Sequence, residues 1–246
     1  MRLQDDYREI SSEYPPRRVR RPVMFQNWRC LTFLHWACDL AAVRRLLPAQ
    51  IALDTFDGAA WIGLTPFLLT GLRPPFVPAF PWVSCFPEMN VRTYVRGPDG
   101  ERGIWFFTLE ADRLLAVAGA RMSYGLPYRW AQMSVRHNGT RVEYESKRHW
   151  PFRPAHSSIS IEVGGSVESS EFTRFLTARF RLYTRVLGRT IAAQIEHQPW
   201  PLHEARVLRL EQNVVEACNL PRVDEHPHVL HSQALNVRVE RPQFAA

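Results

Sequence analysis

Polar and apolar side chains alternate most clearly along Glu88-Met-Asn-Val-Arg-Thr-Tyr-Val95. A strand turns successive side chains to opposite faces. Glu88, Asn90, Arg92 and Tyr94 therefore share one face, and Met89, Val91, Thr93 and Val95 share the other. Gly103 to Ala111 follows the turn signal Gly97-Pro98-Asp99-Gly100, so the two runs read as a hairpin. A second hairpin is predicted for Trp130 to His137 and Arg141 to Trp150, joined at Asn138-Gly139. Ala60 to Leu69 is an apolar run, as expected of a buried strand. Ser158 to Val163, Ile191 to His197, Val207 to Val215 and Leu235 to Val239 read as further strands.

Helical patterns are fewer. Asp39 is placed to cap a short helix through Leu40, Val43, Leu46 and Leu47, which Pro48 ends. Leu114 to Met122 is apolar and rich in small residues, and reads as a helix running towards Gly125. Phe172, Phe175, Leu176, Phe180, Tyr183 and Leu187 recur at helical spacing, predicting a helix over 171–187 with Ser169 or Ser170 as cap. Between Gly71 and Pro87 the prolines Pro74, Pro75, Pro78, Pro81 and Pro87 exclude a regular ladder. With Phe76, Phe80, Trp82 and Phe86 among them, this segment reads as a loop with apolar teeth, packed on the outer core or lying as a lid over a pocket. Many strands, frequent turns and few helices predict a mainly β (α+β) chain closed into one barrel-like domain.

Composition bounds this picture. Hydrophobic residues make up 46% of the 246 residues and charged residues 22%, which excludes wholesale disorder. No apolar run approaches the roughly 20 residues a membrane helix needs. Met1 to Glu13 is polar and has no apolar signal region, so a cytoplasmic protein is expected, with no membrane partner. The net charge is +7, and its cations are arginines apart from Lys147. Arg2, Arg8, Arg17, Arg18, Arg20 and Arg21, with Pro15, Pro16 and Pro22, predict a flexible basic N-terminal extension over 1–24 and a single domain over 25–246. Such a tail is a solvated tail or an anchor for nucleic acid or an anionic surface. The globular part offers no basic helix or stacking platform for nucleic acid. Cys30, Cys38, Cys85 and Cys218 form no Cys-x-x-Cys pair and read as thiols of a reducing compartment.

The polar row on Glu88–Tyr94 is the main candidate for chemistry. Pattern alone leaves two readings equal: the row faces solvent, or the opposite face packs outward on helices and the row lines an interior. An interior carboxylate and guanidinium are costly unless partnered, and such groups gather at binding sites. The second candidate is Arg121-Met-Ser-Tyr-Gly-Leu-Pro-Tyr-Arg129, where Gly125 and Pro127 make a sharp connection able to aim Tyr128 and Arg129 into a cavity; an ordinary loop is the alternative. Lys147 shares a face with Arg141, Glu143, Glu145 and His149, which is a solvated face. Flanking carboxylates would raise its pKa, the opposite of what imine chemistry requires. His197, His203, His226, His228 and His231 lie close in sequence without the spacing of a metal site, so no metal is expected. No phosphate loop, nucleophile elbow or dinucleotide fingerprint is present, so no cofactor is expected.

A set of short motifs carries a resemblance. It comprises Leu31-Thr-Phe-Leu-His35, Phe56-Asp-Gly-Ala-Ala-Trp61, Phe86-Pro-Glu-Met-Asn-Val-Arg-Thr-Tyr-Val95, Gly103-Ile-Trp-Phe-Phe107, Leu126-Pro-Tyr128, Phe175-Leu-Thr-Ala-Arg179 and His197-Gln-Pro-Trp-Pro-Leu202. Together they resemble the YqjF-like family of bacterial proteins over about residues 25 to 241. That family is similar in fold to acetoacetate decarboxylase, so the resemblance implies a closed β-barrel or cone with a few flanking helices and an internal pocket. It also favours the interior reading of Glu88, Asn90 and Arg92. Gly125-Leu-Pro-Tyr-Arg129 looks like the decarboxylase segment that carries the imine-forming lysine and its cationic neighbour. Tyr128 and Arg129 stand at those two positions, and a tyrosine cannot form a Schiff base.

The expectation is a small organic acid or carbonyl compound bound in a barrel pocket. Arg92 would clamp its carboxylate, with Asn90, Tyr94, Arg121 and Arg129 as further ligand-binding groups. Glu88 and Tyr128 would be the catalytic pair, as general acid/base and hydrogen-bond donor, suited to a lyase or isomerase that uses no imine. The alternatives are a non-catalytic sensor of the same fold and, behind it, a nucleic-acid binder acting through the tail. A homo-oligomer stays open.

Overall fold

The structure, a computed structural model, describes residues 12–113, 125–150, 153–224 and 226–245. The helix expected over Leu114 to Met122, and Arg121 with it, lie outside the described residues. Among the described residues thirteen strands form one sheet: β1 (Pro22–Cys38), β2 (Ala52–Leu53), β3 (Ala60–Arg73), β4 (Phe86–Arg96), β5 (Arg102–Ala111), β6 (Tyr128–Asn138), β7 (Arg141–Trp150), β8 (His156–Ser166), β9 (Arg181–Val186), β10 (Arg189–His197), β11 (Leu202–Gln212), β12 (His228–Glu240) and β13 (Gln243–Phe244). Short helices α1 (Leu40–Arg44), α2 (Pro81–Ser84) and α3 (Glu171–Thr177) accompany it.

The strand order β5-β6-β7-β8-β11-β12-β1-β3-β4 closes on itself because β4 also pairs with β5, giving a nine-stranded barrel. A second circuit follows from the remaining pairings. β9 runs parallel to β5, β10 pairs with β9, and β10 also pairs with β12. The strands β12, β1, β3, β4 and β5 are thus a wall shared by two rings. This explains why both faces of β4 are buried. Met89 and Val91 pack with Leu64, Val142, Tyr144, Ile159 and Ile161 inside the nine-stranded ring. Tyr94 packs on the other side with Ile104, Leu109, Phe175, Leu182 and Ile195. The apolar face of β4 lies against strands rather than against helices.

Local chemistry sets the element ends. Asp39 caps α1 by accepting from the Ala42 N–H at 2.8 Å, and Ser170 caps α3 in a reciprocal box with Thr173. The helix expected over 171–187 ends at Thr177. Arg179 folds back, donating from Nε to the Phe175 carbonyl at 2.8 Å and pairing with buried Asp54. The chain then extends as β9, where Leu182 and Tyr183 pair with Ile104 and Trp105 of β5. Helical spacing at Phe180 and Tyr183 was coincidental, and Leu187 is exposed in the β9–β10 turn. The β6–β7 turn sits on Gly139-Thr140, one residue later than expected. Most aromatic teeth of the proline-rich segment do not pack inward against the described residues: Phe76, Phe80 and Trp82 are exposed at 104%, 60% and 87%, whereas Phe86 is buried. At the N-terminal side β1 already starts at Pro22. Val19 is buried, its N–H donates to Glu196 at 2.7 Å, and Arg17 forks onto Glu240.

Along β7, Lys147 is exposed while its neighbour Arg148 is buried in the nine-stranded ring, where it forks onto fully buried Glu110. Removing one partner of a buried pair strands the other charge. Arg148→Ala is expected to lower stability in urea unfolding by about 3–5 kcal/mol, and Lys147→Ala by less than about 0.5 kcal/mol. Equal effects would contradict the alternation of β7.

Candidate functional site

A cavity of about 100 Å³ lies within the second ring. The shared wall supplies most of it: Gln26, Trp28 and Leu31 of β1, Thr65 and Phe67 of β3, Glu88, Asn90 and Arg92 of β4, and Ile104, Phe106 and Leu109 of β5. Leu126 and Tyr128 enter at the start of β6, and Leu182, Ile195 and Val239 close the far side. Two backbone irregularities make this lining. Cys30 sits in β1 at φ 46°, and the β1–β3 register shifts between Arg29 and Leu34. That irregularity lets Trp28 and Leu31, an odd number of residues apart, face the same side. In β5 the register shifts so that Val91 faces Thr108 while Arg92 faces Phe106. The extra residue, Phe107, keeps Phe106 and Leu109 both on the cavity side.

Three polar groups of β4 meet the cavity: Glu88, Asn90 and Arg92, all buried. Glu88 accepts a hydrogen bond from the Tyr128 hydroxyl at 3.0 Å. Burial pushes its carboxyl up to about 8, with the Tyr128 bond acting in the opposite direction. At neutral pH Glu88 is therefore mostly a neutral acid with an O–H to donate. The guanidinium of Arg92 lies 5.2 Å from the Phe33 ring centroid and 6.0 Å from that of Tyr94. Gly63 makes this possible: a Cβ there would come within 3.1 Å of the His35 ring and 3.4 Å of Arg92 Cγ. Among the described residues, Thr65 Oγ1, Asn90 Oδ1 and Arg92 Nε are buried without a hydrogen-bond partner.

The other expected residues fall elsewhere. Tyr94 does not line the cavity. Its hydroxyl donates to the Leu176 carbonyl at 2.7 Å and pairs with His35 Nε2 at 2.5 Å, a bond in which the histidine nitrogen is then the donor. Arg129 is separated from Tyr128 by strand alternation. Parallel pairing sets Tyr128 beside Leu109 and Arg129 beside Glu110, so Arg129 faces a different recess. Gly125 has φ 63°, and a Cβ there would lie 2.2 Å from Val186, so the sharp connection does require glycine. His35 and Thr65 were missed. His35 alternates with Phe33 opposite Gly63, and Thr65 is a lone hydroxyl in an apolar run; both were visible as polar breaks in buried strands. His35 is held neutral, first by burial and then by the charges of Arg92 and His228. His197 is packed among Trp28, Phe180 and Trp200, and burial lowers it to about 4. Among the described residues no three His, Cys, Asp or Glu side chains gather as a metal site.

A family model matches residues 25–236. The chain belongs to the DUF2071 family of uncharacterized conserved proteins. It is 38% identical over 217 residues to the uncharacterized protein YqjF of Bacillus subtilis strain 168, covering 86% of this chain and 88% of that protein. Solved structures of similar fold include acetoacetate decarboxylase from Legionella pneumophila, with a TM-score of 0.63, 11% identity and coverage of 94% of this chain and 92% of that one. An acetoacetate decarboxylase-like enzyme from Sphingomonas wittichii RW1 matches at 0.63 and 12%, covering 91% and 93%. The enduracididine biosynthesis enzyme MppR complexed with pyruvate matches at 0.61 and 12%, covering 91% and 90%. At these identities the likeness is one of fold: the DUF2071 chain is a closed, mainly β barrel of the acetoacetate decarboxylase type.

The raised Glu88 carboxyl predicts a pH signature. Folded Glu88 holds its proton from the ordinary range near 4.5 up to about 8, so the folded state binds more protons than the unfolded one in that window. Stability then falls as pH rises through it, by up to about 1.4 kcal/mol per pH unit. Glu88→Gln is expected to flatten this slope and to raise Tm relative to wild type at pH 8, but not at pH 5. An unchanged slope would place the titration elsewhere.

Proposed function

We propose that this protein binds a small organic acid or carbonyl compound in the cavity beneath Glu88, Asn90 and Arg92, and acts on it as a lyase or isomerase without an imine. The observation that carries this reading is the set of unpartnered atoms. Thr65 Oγ1, Asn90 Oδ1 and Arg92 Nε belong to three residues that line one cavity. Buried polar atoms are costly unless bonded, and a small polar ligand would satisfy them. Its carboxylate would sit on Arg92, which has the geometry for planar oxyanions. Glu88, neutral and bonded to Tyr128, would supply a proton to a carbonyl or hydroxyl oxygen.

The cavity volume suits a ligand of a few heavy atoms. A neighbour of similar fold is complexed with pyruvate, which supports the ligand class. Lys147, the chain's single lysine, is exposed on β7 and does not line the cavity, which supports chemistry without a Schiff base. The free thiols of Cys30, Cys38, Cys85 and Cys218 suit a cytoplasmic setting.

A thermal-shift screen of pyruvate and related keto and carboxylic acids tests the reading. At about 100 times its Kd a ligand adds about 2.7 kcal/mol, which for this chain length raises Tm by roughly 5–10 °C. The shift is expected in wild type and not in Arg92→Gln. An equal shift in Arg92→Gln, or none with any acid, would contradict it. Glu88→Gln is expected to keep the shift and lose turnover; bound ligand that wild type leaves unchanged would mark a sensor instead. Borohydride with the bound keto acid is expected to trap no adduct, and an adduct on Lys147 would overturn the imine-free chemistry.

A further inference from the structure

A groove of about 870 Å³ adjoins the cavity that holds Glu88, Asn90 and Arg92. Among the described residues Gln26 of β1 lines both, so its side chain is the border between them. Gln26 Oε1 accepts from Trp28 Nε1 at 2.8 Å, and Nε2 donates to Met24 Sδ at 3.0 Å. A thioether is a weak acceptor, so one end of this amide is held firmly and the other lightly. On the groove side, Arg238, Phe25 and Arg73 stand in one row across β12, β1 and β3. The Arg73 guanidinium lies 4.7 Å from the Phe25 ring centroid. The basic N-terminal segment supplies a further wall with Tyr14, Pro15 and Arg18. It is fastened there, since the Val19 N–H donates to Glu196 and Arg17 forks onto Glu240.

We propose that the ligand is a two-ended acid: its keto or carboxyl head lies in the cavity, its chain passes Gln26, and a second anionic group ends in the groove among Arg18, Arg73 and Arg238. This inference rests on the reading of the cavity given above and extends it to the rest of the ligand. Continuity at Gln26 carries it. The cavity alone takes a few heavy atoms, and its unpartnered Thr65 Oγ1, Asn90 Oδ1 and Arg92 Nε mark where the head binds. Beyond Gln26 the lining is polar, so the tail is not a hydrocarbon. Among the described residues it carries three guanidinium groups and one carboxylate, Glu196. Glu196 stands beside Arg238 across the β10–β12 pairing and is already bonded to Val19. His197, also in the lining, is neutral because burial lowers it to about 4. The groove therefore favours an anion, and guanidinium forks suit a carboxylate.

Isothermal titration calorimetry of the full chain at constant ionic strength tests the proposal. The probes are pyruvate and two pairs of keto acids of equal chain length: α-ketoglutarate with α-ketovalerate, and α-ketoadipate with α-ketocaproate. In at least one pair the diacid is expected to bind about tenfold tighter than the monoacid, the scale of two ion pairs open to solvent. Arg238→Gln and Arg18→Gln are each expected to cut that ratio by about threefold. The ratio is taken within each variant, so a general loss of fold does not imitate the effect. Arg206→Gln, at an exposed ion pair on β11, is expected to leave it unchanged. Arg18 is exposed on the N-terminal segment, so its variant keeps the test open if Arg238→Gln fails to fold. Pyruvate bound with no advantage for either diacid would overturn the two-ended ligand and leave the cavity reading standing. No binding of any keto acid would overturn both. An advantage undiminished in both groove variants, or cut equally in Arg206→Gln, would overturn the placement of the second acid in the groove.

Discussion

β4 has no solvent side, and the rest of the structure depends on that. The strand runs down a wall shared by two closed rings, so each of its faces must be compatible with an interior. Strand alternation then works as a sorting device. Even-numbered positions Glu88, Asn90 and Arg92 go to one compartment, and Met89 and Val91 go to the other. The same rule divides β5 into Leu109 on one side and Glu110 on the other, and it separates Tyr128 from Arg129. A one-residue slip anywhere in this wall would exchange the contents of the two rings.

Among the described residues three carboxylates are buried under different conditions. Glu110 has Arg148 and the Thr108 hydroxyl beside it. Asp54 has Arg179, with Arg96 and Arg102 further out. Both pairs are structural: the first ties β5 to β7, and the second ties β2 to the end of α3. Among the described residues Glu88 has the Tyr128 hydroxyl as its hydrogen-bond partner and forms no ion pair with a guanidinium. Desolvation therefore acts on it almost unopposed, and the acid is held neutral into the alkaline range. A neutral acid beside a buried guanidinium is the arrangement by which one cavity can both hold an anionic group and deliver a proton. The two buried ion pairs supply rigidity around it, and Gly63 supplies the space in which Arg92 and His35 lie together.

Much of this was legible in the chain itself. The alternation from Glu88 to Val95 identified the face that carries the polar row, because period two is a strong signal in a long strand. It could not say that both faces are interior, since a shared wall is a property of closure and leaves no local mark. Tyr128 and Arg129 look equivalent as neighbours in a loop, and only their pairing with Leu109 and Glu110 separates them. The helix expected through Leu187 failed for a related reason: aromatic and aliphatic residues at Phe180 and Tyr183 satisfy helical spacing, while the contacts they make come from β5 and β10. Arg179, which turns the chain there, is explained only by Asp54, 125 residues earlier. His35, Thr65 and Glu110 each appear as a lone polar residue in an apolar strand.

The account turns on Glu88 being a neutral acid buried at the cavity wall. Carbon-13 NMR of protein labelled at the glutamate side-chain carboxyl, with the Glu88 resonance assigned by its loss in Glu88→Gln, measures this directly. The account predicts that this carboxyl titrates near pH 8 and that Tyr128→Phe moves it higher, because the hydrogen bond that favours the ionised form is gone. A Glu88 carboxyl that titrates in the ordinary range near 4.5 would contradict it, and the polar row would then be wet.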